Sequence, residues 1–562
     1  MKRVIACLFS LGLIFTSCDD YLDKNPLNSP SDQTFLRTEK EMNMALAGCY
    51  YHLWTNHETM TFFLSLDILS DVNYDRNVNL IQPLAQGAAD PKNGYVEYIW
   101  KCFYSGIAKC NYLIQNMHRG QENVQPATYN KINAEARFLR SLYYSYLIEL
   151  YGDVPLVTEP LTLETSQKAR TPKAEIVDFI LNELTAAAEV LPENVKPTSG
   201  HASKGAALAL KARTALYNER WQDAIDASQQ VMAMEGSQYA LEPEYATLFT
   251  NAGEGSKEII FSVQYLLGAT EHAMYRLNAS RNAKGFTNKK PPYQLIDSWE
   301  CTDGLSIDKS PLYDPAKPFV NRDPRLGYTV AVPGSVFLGY QFETHGDSLK
   351  CWYYPNGKEP VRVDNLEATH AYATFTGFCW RKYCNIEDQA NNTKCTTNTI
   401  MIRYAEVLLT YAEAKIKAGQ IDQSVLDAIN KVRQRPSVKM PPVTTTDPTE
   451  LFYKVCKERK YELAGEGLRL FDIRRWKIAH IVMNSPVLGR MKKSYPTKAP
   501  RIDEYGNAFY DENTIAQPGE SSDFKMRLVD KRTFNKDRDY LWPIPYIEIQ
   551  TNKALTQNPN YN

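Results

Sequence analysis

Apolar residues recur at i, i+3, i+4 and i+7 through residues 40–55, 96–118, 127–150, 173–190, 203–217, 221–234, 402–418, 422–433 and 448–463 of this 562-residue chain. That period gathers each apolar set onto one stripe, so the pattern predicts helices that bury one side against a neighbour. Between about 235 and 399 the rhythm breaks, and Gly, Pro, Asn and aromatic residues punctuate short apolar runs such as 258–263, which reads as a strand. Residues 484–538 form a second loop-rich excursion. Loops of this length in a folded chain usually carry function. The expected architecture is therefore mainly α, a scaffold of helical pairs over about 40–234 and 400–480 that carries a large irregular face with a few short strands.

The pairing itself is written in small residues. Gly205, Ala206, Ala207, Ala209, Ala212 and Ala215 let a second helix approach, Asn218-Glu219-Arg220 turns the chain, and Trp221 opens the partner. A second pair runs through 411–418 and 422–432, with Gly419 as the helix stop. Both resemble tetratricopeptide hairpins, in which each helical pair needs its neighbours to bury a continuous core.

The first residues change the picture. Lys2 and Arg3 precede an apolar run over 4–15, too short for a bilayer that takes about 20 residues. Ser17-Cys18 then resembles a lipobox, so 1–17 is expected to be a lipoprotein signal peptide, with Cys18 acylated and 18–562 a single mature domain. Acyl chains tether such a protein to a membrane. Asp19 and Asp20 resemble the surface-export signal of Bacteroidetes lipoproteins, which implies an outward-facing position on the outer membrane. Composition is that of an ordinary globule, 43% hydrophobic and 23% charged. The net charge of −1 falls to −3 without Lys2 and Arg3, and no Lys/Arg cluster stands out, so a nucleic-acid partner has no electrostatic support. Of 11 cysteines, Cys7 would leave with the signal and Cys18 would carry lipid. Cys102 and Cys110 share one helical stretch about 12 Å apart along its axis, beyond disulfide reach. Cys379, Cys384 and Cys395 crowd one segment, and without a fourth ligand a disulfide or buried thiols are favoured over zinc.

More specific motifs follow. Ala136-Arg137-Phe138-Leu139-Arg140 runs through Tyr151-Gly152-Asp153-Val154-Pro155, and Asp323-Pro324-Arg325-Leu326 comes next. Then come Ile402-Arg403-Tyr404-Ala405-Glu406 with Tyr411-Ala412-Glu413-Ala414, and Glu458-Arg459-Lys460-Tyr461-Glu462 with Gly465-Glu466-Gly467, Arg469, Asp472, Arg475 and Trp476. Leu541-Trp542-Pro543-Ile544-Pro545 and Gln557-Asn558-Pro559 close the series. In this order they resemble the SusD/RagB family of nutrient-binding outer-membrane lipoproteins, and the likeness spans essentially the whole chain. The family often has Gly where Asn560 stands, a residue that also tolerates positive φ. The resemblance implies an α-helical glycan-binding protein that is not an enzyme, uses no cofactor, and delivers oligosaccharides to a SusC-like TonB-dependent transporter. Peptide capture, or an adaptor role without a small ligand, are the alternatives.

The residues agree with a binder. No HExxH, G-x-S-x-G, Walker A or G-x-G-x-x-G motif occurs. Glu458, Glu462 and Glu466, four apart and flanked by arginines, read as a structural ion-pair network rather than a catalytic pair across a cleft. Asp71-Val72-Asn73-Tyr74-Asp75 begins like a calcium loop, but Arg76 replaces the required Gly, and no metal is expected. Sugar rings stack on aromatic faces while polar side chains fix their hydroxyls. Two loops offer that mixture: Asp71, Asn73, Tyr74 and Arg76 in the first, and Trp352, Tyr353 and Tyr354 in the second. Trp221, Trp299, Trp476 and Trp542 are expected in the core.

Overall fold

The computed structural model describes residues 35–57 and 60–561, so the signal segment and Cys18 lie outside the described residues. The chain is mainly α, and each stretch with helical period forms a helix. These are α1 (Glu39–Tyr50), α2 (Gly94–Asn116), α3 (Pro126–Tyr151), α4 (Lys173–Val190), α5 (Lys204–Tyr217), α6 (Trp221–Met232), α7 (Tyr404–Lys417), α8 (Gln423–Arg433) and α9 (Pro448–Leu463), followed by the short α10 (Arg469–Arg475). Side-chain caps start several of them: Thr38 and Glu41 make a reciprocal capping box, and Ser203, Asp422 and Asp447 each accept from a first-turn N–H.

Successive helices pack in register, α2 on α3, α3 on α4, α4 on α5 and α5 on α6, after which α7 closes against both α6 and α8. Small residues set the spacing. A Cβ on Gly106 of α2 would stand 2.6 Å from the ring of Tyr143 on α3, so only glycine permits this crossing.

Short antiparallel strands tie the irregular face to this body. β1 (Tyr74–Asp75) pairs with β3 (Lys289–Lys290), and β2 (Ile259–Val263), the strand expected from the sequence, pairs with β8 (Thr399–Arg403). β4 (Val336–Phe337), β5 (Tyr340–Gln341), β6 (Lys350–Tyr353) and β7 (Val361–Asp364) form a four-stranded sheet in chain order.

The glutamates of α9 and the turn after it form the buried ion-pair network. Glu462 accepts from Arg403 Nη1 at 2.7 Å, Arg435 Nη2 at 2.6 Å and Arg325 Nη1 at 3.0 Å. Glu458 takes Arg433 at 3.0 Å, and Glu466 takes Arg403 and Lys382, both at 2.7 Å. Burial alone would raise the pKa of Glu462, but Arg435, Arg403 and Arg325 overturn that and hold it below the usual carboxylate range. The nine described cysteines are free thiols, Cys379 and Cys395 among the buried ones. Among the described residues no helix is long and apolar enough to cross a membrane.

Candidate functional site

The β6–β7 hairpin presents exposed aromatic side chains on the irregular face. Trp352 pairs with Arg362 and Lys350 with Asp364. Side chains alternate along a strand, so these four share one face. Cys351 and Tyr353 turn to the other, where Cys351 is buried and Tyr353 stacks on Tyr340 with ring centres 4.6 Å apart. The outer face stays open: Trp352 is 39% exposed and Tyr354 38%. Arg362 lies 5.1 Å from the Trp352 ring centre, and Lys350 pairs with Asp364 at 2.6 Å. The indole is thus propped in one orientation at the surface.

A cleft lies at the turn that joins β4 to β5. Tyr354 N donates to Gly339 O at 2.7 Å, and the Leu338-Gly339 turn walls a cavity of about 690 Å³ whose lining includes Tyr328, Phe337, Arg381 and Glu387. Arg381 donates to Ser335 Oγ and Val336 O, both at 2.8 Å, and burial lowers its pKa to about 10. Asn251 and Asn385, also on the lining, both bond Thr397 Oγ1 and so hold the wall together.

The first loop is placed differently. Asp71 accepts from Arg469 Nε at 2.8 Å and lies 3.4 Å from Lys460, and these two cations outweigh burial and hold its pKa below the usual range. Asn73 is buried and accepts from Trp380 Nε1 at 3.0 Å. Tyr74 is buried in β1. The β1–β3 pairing draws this loop against the body, so these three side chains serve internal contacts. Asp71 and Asp75, the start of the calcium-like pattern, pair with Arg469 and Lys289.

Arg76 is the member that reaches the surface. Its Nη1 donates to Tyr372 O at 2.7 Å and its Nη2 to Phe286 O at 3.1 Å. Arg281 Nε donates to the same Tyr372 carbonyl at 2.8 Å, so two guanidinium groups share one neutral acceptor. Burial, then the charge of Arg281, lowers the pKa of Arg76. Asn282 Nδ2 bonds Asp364 O at 2.8 Å, which sets this pair at the foot of the Trp352 hairpin. The two sequence-predicted loops therefore approach one another through Arg76 and the hairpin base, and the aromatic tip stands apart. Arg281 and Tyr372 carried no sequence signal, because they meet Arg76 only through contacts between segments hundreds of residues apart.

The tryptophans divide. Trp299 and Trp542 are buried as expected, but Trp221 and Trp476 line a cleft of about 410 Å³ on the helical scaffold. Trp221 opens α6 and is half-buried, packed against the scaffold core on one side and facing the cleft on the other.

The SusD family model matches residues 257–561, and a second, described as starch-binding associating with outer membrane, matches residues 20–216. The chain belongs to the SusD family. The SusD-like protein P2 of Formosa agariphila is 25% identical over 100% of both chains. A solved SusD-like carbohydrate binding protein from Bacteroides fragilis is 30% identical, with 93% of this chain and 100% of that one covered and a TM-score of 0.78. Surface glycan-binding protein A from Bacteroides fluxus shares the fold, at 20% identity, 93% and 100% coverage and a TM-score of 0.66.

Proposed function

We propose that this chain is a cell-surface lipoprotein, anchored through Cys18 to the outer membrane, that captures oligosaccharides and hands them to a SusC-like TonB-dependent transporter. The observation that carries this reading is the Trp352 face, an indole 39% exposed and held by Arg362. The bound ring would stack on Trp352 and Tyr354, with Arg362, Lys350 and Asp364 placed for its hydroxyls. Family membership supports a glycan ligand, since the Bacteroides fragilis relative is described as carbohydrate binding. Exposed Trp352, Tyr354 and Tyr372 favour sugar over peptide, which a groove with few exposed aromatics would suit better.

The protein performs no chemistry in this reading. Glu458, Glu462 and Glu466 are buried and matched by arginine and lysine, so these three do not form an acid–base pair facing a substrate.

Titration of residues 19–562 against glycan and peptide panels tests the proposal. Trp352→Ala should weaken glycan binding about tenfold with an unchanged circular dichroism spectrum. Saturable binding to peptides alone, or full glycan affinity in the variant, would overturn it.

A further inference from the structure

Four cations crowd a small region at the foot of the Trp352 hairpin. Arg527, Lys290 and Arg76 lie 4.3, 4.7 and 5.5 Å from the ring centre of Phe375, and Arg281 meets Arg76 across the Tyr372 carbonyl. Among the described residues none of the four forms a salt bridge. The Arg76 contacts are the carbonyls of Phe286 and Tyr372, the side-chain oxygen of Asn288 and the Tyr372 and Phe375 rings.

The neighbouring carboxylates are already engaged. Asp75 pairs with Lys289, Glu367 accepts the backbone N–H groups of Arg281 and Thr374, and Asp530 accepts from Gln86 at 3.0 Å. Lys290 is the sharpest sign of a missing counter-charge: it is fully buried, and its ammonium has no hydrogen-bond partner. Burial and the charge of Arg76 both disfavour its protonated form. A buried cation with no paired anion is costly, and nearby like charges add to that cost. Natural sequences tolerate such a cost where a ligand relieves it.

Access is open on one side. Tyr372 is 60% exposed, and Arg76, Arg281 and Arg527 are each half-buried. Guanidinium groups match carboxylate and sulfate oxygens with paired N–H donors. The hairpin links this cluster to the Trp352 face through the Asn282–Asp364 bond.

We propose that the ligand of this face is an acidic oligosaccharide, its carboxylate or sulfate ester seated at Arg76 and Arg281 against Tyr372 while a neighbouring ring stacks on Trp352. Arg527 supplies further positive charge from across the Phe375 ring. This assignment rests on the glycan-binding reading and narrows it to charged glycans.

Calorimetric titration of residues 19–562 with matched probes tests it. One pair is an oligogalacturonate and its carboxyl-reduced neutral counterpart, and the other is a sulfated oligosaccharide and its desulfated backbone. The charged member of at least one pair should bind about tenfold tighter, with the preference shrinking as salt rises, and which pair responds identifies the acid group. Arg281→Gln should abolish the preference and Arg281→Lys restore part of it. Trp352→Ala should weaken charged and neutral probes alike. Equal affinity within both pairs, or an undiminished preference in Arg281→Gln, would overturn the assignment and leave glycan capture standing. Silence toward every glycan would overturn both.

Discussion

The arginines of the scaffold and those of the loop face have opposite surroundings. Arg325, Arg403 and Arg435 are buried among Glu258, Glu458, Glu462 and Glu466, with each guanidinium matched to carboxylates. Arg76 and Arg281 point their guanidinium groups at carbonyl oxygens and aromatic rings, and among the described residues no carboxylate forms a salt bridge with either. In the scaffold, opposite charges cancel and fix how α8, α9 and the 323–325 turn meet. On the loop face positive charge remains uncancelled beside solvent, which is the condition a ligand needs and a structural network avoids. Arginine content alone says nothing of role. What matters is where the counter-charge sits.

Removing one carboxylate from the scaffold should give the largest effect. Glu462→Gln leaves three buried arginines short of charge, and breaking such pairs typically costs about 3–5 kcal/mol. Urea unfolding should record a loss of that size, and a loss under about 1 kcal/mol would erase the distinction between the two regions. Asp71→Asn should cost less, about 1–3 kcal/mol, because the amide oxygen still accepts from Arg469.

Acid should reveal the same asymmetry. Glu462, Glu466, Asp71 and Asp472 all have folded pKa values below their unfolded ones. Each therefore contributes stability that is present above the unfolded carboxylate range and is lost as pH falls through the folded values. The contribution of these four should begin to fall below about pH 4.5, where the unfolded carboxyls take up protons. His272 adds to this: burial lowers its pKa to about 4, so it is neutral when folded and its unfolded form gains a proton first, as pH falls below about 6.5. His272→Gln should flatten the unfolding curve between about pH 6.5 and 4 and leave the steeper carboxylate loss below it. A curve unchanged by that substitution would remove His272 from this account.

The scaffold was legible in the sequence because both of its determinants are local. Helical period and small-residue runs placed the nine long helices of the described residues, with ends shifted by only a few residues, as where α6 stops at Met232. The Glu458, Glu462 and Glu466 network was legible because the three recur at helical spacing within one short stretch. The loop face was legible only in pieces. Trp352 announced itself through an aromatic run closed by Pro355-Asn356-Gly357. Asp71, Asn73 and Tyr74 had the right composition for sugar binding, but strand pairing with 289–290, invisible in their own segment, drew them inward. Arg281 and Arg527 could not be found at all, because nothing local marks a residue whose importance is the absence of a partner brought from elsewhere.

The smallest expected effect is the sharpest test of the comparison. Arg527→Gln removes a guanidinium that rests 4.3 Å from the Phe375 ring centre and bridges no carboxylate among the described residues. A cation–π contact of this kind is worth about 0.5–1 kcal/mol, and relief of repulsion from Arg76 opposes that loss. Unfolding free energy should therefore change by less than about 1 kcal/mol in either direction. Because repulsion among exposed charges is screened by salt, any stabilisation seen at low ionic strength should fade at high ionic strength. A loss comparable to that of Glu462→Gln would mean that Arg527 has a structural counter-charge after all. The loop face would then be a second scaffold network, and its claim to hold positive charge in reserve for a ligand would fall.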